Sequence, residues 1–206
     1  MPRPKYFLPT LDNLRIRDRG NNPHWEMPNA IYSITFRLHD SLPAEAMERL
    51  HLERKSREQR AVTSMERMHI RRSFEREMDK HLDRNDGKCT LADPRIAREV
   101  IETLHLTKNR YELLAWCVMP NHVHVLIQIL GEQSLARIVH SWKSYTAHRA
   151  NEILGRSGTF WQREYFDRIV RDEEDLRRTI EYVIKNPVKA GLRDWPWVWS
   201  AGGAPA

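Results

Sequence analysis

His122-Val123-His124 places two metal-ligating side chains at a useful spacing. If the segment is extended, a period of two puts both imidazoles on one face of the strand, with Val123, Val125 and Ile127 on the other. The two Cα atoms then lie about 7 Å apart, so the rings can converge on one divalent ion. Imidazole suits Mn²⁺, Fe, Ni and Zn, and it enters mixed-ligand Mg²⁺ sites. The plainer alternative is a pair of hydrogen-bonded sheet histidines. The residues that follow are strongly apolar, as in a central strand, where a polar pair is costly unless it has partners.

A second constellation stands toward the C-terminus. Leu176, Ile180 and Val183 fall on one helical stripe. Tyr182 lies about 100–120° from the centre of that stripe, and Asn186 follows one turn on. A phenol and an amide oxygen one turn apart can serve as a nucleophile and a metal ligand. The ordinary alternative is an interfacial tyrosine with its hydroxyl in water. Tyr145, Tyr165 and Tyr32 compete for the same role. Tyr145 is weaker because it falls on a core-facing stripe, and Tyr165 because it falls in an expected strand.

The elements that must position these groups are legible in outline. Ile31 to Leu38 is β-branched and aromatic and reads as the first strand. Pro43 opens a helical stretch to about Leu82, with 11 Lys+Arg and 9 Asp+Glu between Pro43 and Arg84. Ile70, Phe74, Met78 and Leu82 give it a narrow apolar stripe, and Asn85-Asp86-Gly87 stops it. Asp93-Pro94 starts an amphipathic helix over 94–106. Tyr111–Met119 and His122–Ile129 read as a hairpin about Pro120-Asn121. Ser134 caps a helix over 135–154 whose stripe is Leu135, Ile138, Val139, Trp142, Tyr145 and Thr146. A strand follows over about 163–170. Asp172 with Glu173, Glu174 and Asp175 then starts a helix expected to stop at Asn186-Pro187. The aromatic tail Asp194–Trp199 is expected to pack back on the body.

This order is the split βαβ pattern of an α+β, ferredoxin-like antiparallel sheet, with helices packed on one face and a charged helical insertion after the first strand. The expected organisation is an irregular arm over 1–29, one domain over 30–200 containing the insertion 43–87, and a short tail over 201–206. A chain of 206 residues with 40% hydrophobic residues can bury a core of that size. Two cysteines are too few for a disulfide scaffold, no apolar run approaches 18 residues, and no apolar leader follows Met1-Pro-Arg-Pro-Lys5. The expectation is a cytoplasmic protein. Its net charge of +6 suits a polyanion, most often nucleic acid.

Three blocks make the sequence recognisable. Met119-Pro-Asn-His-Val-His-Val-Leu126 resembles the His-hydrophobic-His motif of the single-tyrosine HUH transposases. Phe160-Trp-Gln-Arg-Glu-Tyr-Phe-Asp167 and Ile180-Glu-Tyr-Val-Ile-Lys-Asn-Pro-Val-Lys-Ala-Gly191 resemble the later blocks of the REP-associated tyrosine transposases, a bacterial branch of that family. The resemblance implies Mg²⁺ or Mn²⁺ held by His122, His124 and Asn186, with Tyr182 as nucleophile. It implies a substrate of single-stranded DNA, next to a hairpin, cut through a 5′-phosphotyrosine and rejoined, by a monomer or homodimer. Two departures stand out: Asn186 replaces the glutamine common in insertion-sequence relatives, and the charged insertion is extra. Basic groups near the motifs are the expected DNA contacts: Arg137, Lys143, Arg149, Arg163, Lys185 and Lys189, with Trp161 as a base-stacking surface. The rivals are a catalytically silent single-strand-binding module on the same fold, and a metal-dependent hydrolase that uses water as nucleophile.

Overall fold

The computed structural model describes residues 15–18, 23–85, 87–106 and 108–202. Most of the expected arm, Asp86 of the stop signal and the end of the tail lie outside those residues. The part of the arm that is described is regular. Strands β1 (Arg15–Asp18) and β2 (Pro23–Glu26) pair antiparallel. The alternation of Arg15, Ile16 and Arg17 is a period-two signal, and the prolines on either side obscured it in the sequence.

The main sheet has five strands: β3 (Ile31–Arg37), β4 (Tyr111–Val118), β5 (His122–Ile129), β6 (Phe166–Ile169) and β7 (Val198–Ser200). Their spatial order is β6-β3-β5-β4-β7, antiparallel throughout. The first four strands have the ferredoxin-like order expected. β7 is the aromatic tail, which packs back as a strand on the β4 edge and is pinned where Trp195 Nε1 donates to the Val118 carbonyl at 2.7 Å.

Helices α3 (Pro94–His105) and α4 (Leu135–Ile153) pack together on one face, against Ile34, Phe36, Val123, Val125 and Ile127. Helix α5 (Glu173–Lys189) covers the other face, over Leu114, Cys117 and Leu126. A second helical face is thus added to the expected layer. The central strands require it: β5 is buried at every position, so neither of its faces meets water. Tyr145 leaves the expected α4 stripe and is 50% exposed.

The charged stretch is two helices, α1 (Ala44–Arg60) and α2 (Ser64–Leu82), packed together as a hairpin rather than one run. Thr63 Oγ1 accepts from the Glu66 amide while Glu66 Oε2 accepts from the Thr63 amide, a reciprocal cap that starts α2 afresh. Gly87 closes the insertion. Its φ is +86°, and a Cβ there would lie 2.2 Å from the Asp40 carbonyl oxygen, so only glycine lets the chain return beside its point of departure. No helix among the described residues is long and apolar enough to cross a membrane.

Candidate active site

Strand register builds the histidine pair. Thr35 on β3 and Cys117 on β4 flank His124 on β5, on the face covered by α5. His122 and His124 are buried, and their Nε2 atoms lie 3.0 Å apart. The turn before β5 fixes the first ring. Asn121 Nδ2 donates to the Leu82 carbonyl at 3.1 Å, and Asn121 Oδ1 lies 2.6 Å from His122 Nδ1. A carbonyl only accepts, so the amide orientation is set, and His122 Nδ1 must carry the hydrogen. The His122 Nε2 lone pair then faces His124. Thr35 Oγ1 lies 2.8 Å from His124 Nδ1 and, as a hydroxyl, serves either tautomer of that ring.

Burial holds both imidazoles neutral. It lowers the pKa of His122 well below the ordinary value, with His124 adding to the effect. It pushes His124 down to about 3, with Lys189 contributing. Neutral rings whose Nε2 atoms converge suit a divalent cation once the His124 hydrogen sits on Nδ1, where Thr35 Oγ1 can accept it. Two ligands at right angles, each about 2.1 Å from an octahedral ion, stand about 3.0 Å apart. Among the described residues no group of three or more His, Cys, Asp or Glu could hold a metal, so a third protein ligand beside the two histidines would be of another kind.

Asn186 fits that requirement. It is fully buried, and neither Oδ1 nor Nδ2 makes a hydrogen bond. Such an amide costs about 1–3 kcal/mol unless something else takes it up. Helix α5 does not stop at Asn186-Pro187 as the sequence suggested but runs to Lys189. Pro187 gives up one ladder hydrogen bond, and the turn beyond is closed by the Ala190 amide on the Asn186 carbonyl and the Leu192 amide on the Pro187 carbonyl. That extra turn keeps Asn186 helical, one turn from Tyr182, and carries Lys189 back over the same face.

Tyr182 packs its ring edge-on to His124, with centroids 5.4 Å apart. Lys189 Nζ sits 4.5 Å above the phenol ring. The hydroxyl donates to Asp79 Oδ2 at 2.7 Å, across from α2 of the charged hairpin. Burial and the Asp79 carboxylate together raise the Tyr182 pKa far above that of a free phenol, and Asn186 tempers the rise without reaching hydrogen-bond geometry. Burial pushes Asp79 up to about 6, against the pull of Tyr182 and Lys189. Tyr182 and Asp79 line a cleft of about 280 Å³ together with Thr35, Arg76, Arg168 and Arg171.

The other candidates are dispersed. Tyr32 is 1% exposed on the opposite face of the sheet, in the core beneath α3 and α4. Trp161 is also core: it is 5% exposed, donates from Nε1 to Thr146 Oγ1 and packs edge-on to Phe36. Its face is closed to a base, which corrects the expectation of stacking. Lys143 Nζ is tied to the carbonyls of Gln162 and Arg163. Arg149 is paired with Glu99 and Glu152, and Lys185 with Glu181. Arg137 and Arg163 are exposed. Of the seven expected DNA contacts, Lys189 is the one brought against Tyr182. Sequence reasoning missed Asp79, Thr35, Arg76, Arg168 and Arg171. Asp79 and Arg76 were hidden in a charge run, and Thr35 carries no signal until the register is known.

A ferredoxin-like sheet that carries paired histidines on its central strand, with a tyrosine and an amide from the covering helix, defines the class. Residues 90–186 match the model of the IS200-like transposase family, and all four of those side chains lie within them. That region is similar to the family, and the resemblance to its REP-associated tyrosine branch is borne out. A Haemophilus influenzae protein described as a REP-associated tyrosine transposase is 29% identical over 42% of this chain and 57% of its own length. The REP-associated tyrosine transposase of Escherichia coli K12 is 26% identical over 42% of this chain and 53% of its own. The chain thus spans little more than half the length of the curated relatives it matches. The solved structure of a REP-associated tyrosine transposase bound to a REP hairpin has the same fold, with a TM-score of 0.51 and 14% identity, over 85% of this chain and 79% of that one.

Proposed function

We propose that this protein is a metal-dependent single-stranded DNA transposase of the cytoplasm, which nicks and rejoins strands at hairpin-associated sites through a 5′-phosphotyrosine. The observation that carries the reading is the buried His122–His124 pair with Tyr182 packed against it, all within the family segment. The hairpin substrate is suggested by the solved relative, whose partner is a REP hairpin. His122 Nε2, His124 Nε2 and the Asn186 amide oxygen would hold Mg²⁺ or Mn²⁺, which supplies Lewis-acid polarisation of a phosphate oxygen.

The chain's own groups do the rest. The cleft beside Tyr182 accepts the phosphodiester, and Lys189 and Arg76 offset its charge, Arg168 and Arg171 being paired with Asp175. The packing of the Tyr182 ring against His124 and under Lys189 fixes the direction of its hydroxyl, so placement supplies much of the rate. Attack forms the Oη–P bond and releases a 3′-hydroxyl. The phosphotyrosine conserves the diester, so a second 3′-hydroxyl can reverse the step without a nucleotide cofactor.

The test is incubation with hairpin-flanked single-stranded DNA and Mn²⁺, read by denaturing electrophoresis. A covalent protein–DNA band is expected, and Tyr182→Phe should abolish it while keeping DNA affinity. Nicking by the Phe variant without any adduct would establish the water-hydrolysis reading instead. A silent binding module would need aromatic rings on an open sheet face. Helices α3 and α4 cover one face, and Phe166 is the one aromatic that the sheet contributes to the described cleft on the other.

A further inference from the structure

Resting on that transposase reading, we propose that Asp79, carried by the charged hairpin, is a catalytic residue: its carboxylate takes the proton of the Tyr182 hydroxyl as that oxygen attacks phosphorus. The geometry is direct. The hydrogen bond of 2.7 Å ends on Oη, the atom that reacts, and no histidine shares it among the described residues. Both imidazoles are turned to each other, to Asn121 and to Thr35. Lys189 stands over the ring face rather than at the hydroxyl.

Asp79 is held in place from several directions. Its helix ends at Leu82, whose carbonyl accepts from Asn121, the residue that also orients His122. Phe74, five residues before Asp79, packs its ring 5.8 Å from that of Phe166 on β6. Met78 and Leu82 are fully buried beside it. Beyond the helix, Gly87 seats the return of the chain against Asp40. The insertion therefore carries a carboxylate to the reacting oxygen on a braced helix. Asp79 lies outside residues 90–186, so the segment matched to the family does not include it.

The step balances. The Tyr182 O–H bond breaks and its proton passes to Asp79; the Oη–P bond forms; the P–O3′ bond breaks, and its electron pair leaves with O3′, which is protonated by water entering the open cleft. In strand joining the incoming 3′-hydroxyl gives up its proton to water. Asp79 then returns its proton to Oη as the tyrosine leaves, so one group serves as base forward and acid in reverse.

The experiment measures single-turnover adduct formation on hairpin-flanked single-stranded DNA with Mn²⁺, for the unaltered protein, Asp79→Asn and Asp79→Ala. Asparagine keeps the shape and an acceptor oxygen but cannot take the proton. Both variants should slow on the order of 10²–10⁴-fold, the usual worth of a positioned base, with DNA affinity and the melting transition retained. Formate, a small carboxylate able to enter the cleft, should restore the alanine variant by about tenfold or more, which a purely structural role would not allow. An Asn variant within about threefold of the unaltered rate overturns the proposal, as does an alanine variant that formate leaves unchanged. If the unaltered protein forms no adduct, the transposase reading fails and this inference with it; if it does and the Asn variant matches it, this inference alone fails.

Discussion

Asn186 is the residue whose environment says most about its role. A fully buried amide with both polar atoms unpaired is a standing cost in the metal-free protein. Replacing it by leucine removes the cost along with the ligand. Asn186→Leu should therefore melt at the same temperature as the unaltered protein or higher when metal is absent. It should also lose the stabilisation that Mn²⁺ gives, about 2.7 kcal/mol at a hundredfold excess over Kd. Thermal melts with Mn²⁺ and with chelator decide the matter, and a leucine variant that keeps the full Mn²⁺ shift would remove Asn186 from the metal site. Asp175 makes the opposite case, a partly buried charge fully engaged. Burial pushes its pKa up, but Arg168 and Arg171 outweigh that and hold it below the usual carboxylate value. A depressed carboxylate stabilises the fold above its unfolded pKa, about 3.9, and loses that contribution as pH falls through the folded value. Asp175→Asn should cost about 1–3 kcal/mol at neutral pH, and urea midpoints should show the gap closing below about pH 4.

At the scale of elements, the hairpin α1–α2 is where sequence and structure part most. The Thr63-Ser-Met-Glu66 signature of a helix start is present in the sequence, yet it sits in a run so charged that the run reads as one helix. Thr63→Ala should destabilise the start of α2 by about 1 kcal/mol, visible as faster amide exchange over the first turns of that helix with the β5 amides unchanged. Gly87→Ala should cost more, because the new Cβ meets a backbone oxygen that cannot swing aside. An equal effect from the two would mean that the return of the chain is looser than the contact with Asp40 implies. What was legible followed period and capping: β4 and β5, the start of α3 at Asp93-Pro94, the His122–His124 face and the offset of Tyr182 from its stripe. What was not legible depended on contacts between elements distant in sequence. The continuation of α5 past Pro187, the strand in the tail and the reach of Asp79 to Tyr182 are each settled by a partner 40 or more residues away or by a cap that local propensity does not register.

At the scale of the whole molecule, net charge is a poor count of DNA contacts. Many of the cations that make up the +6 balance are already engaged. Arg149, Arg177, Arg178 and Lys185 are ion-paired to glutamates on or beside their own helices, and Arg95 to Asp93. Such exposed pairs contribute little to stability, but they hold the cation away from a phosphate. Lys189 over Tyr182, and Arg76 at the rim of the cleft, stand where a strand entering the site must pass. Each phosphate contact on a single strand releases counterions and adds about 0.7 to the slope of log affinity against log salt. Lys189→Ala and Arg76→Ala should therefore each lower that slope by about one contact's worth and weaken binding across all sequences. Arg149→Ala and Arg178→Ala, away from the cleft, should leave the slope unchanged. Fluorescence anisotropy with a labelled hairpin-flanked single strand, titrated across a range of salt, separates the two pairs. If all four variants shift the slope alike, binding is spread over the surface and is not focused on the cleft beside Tyr182.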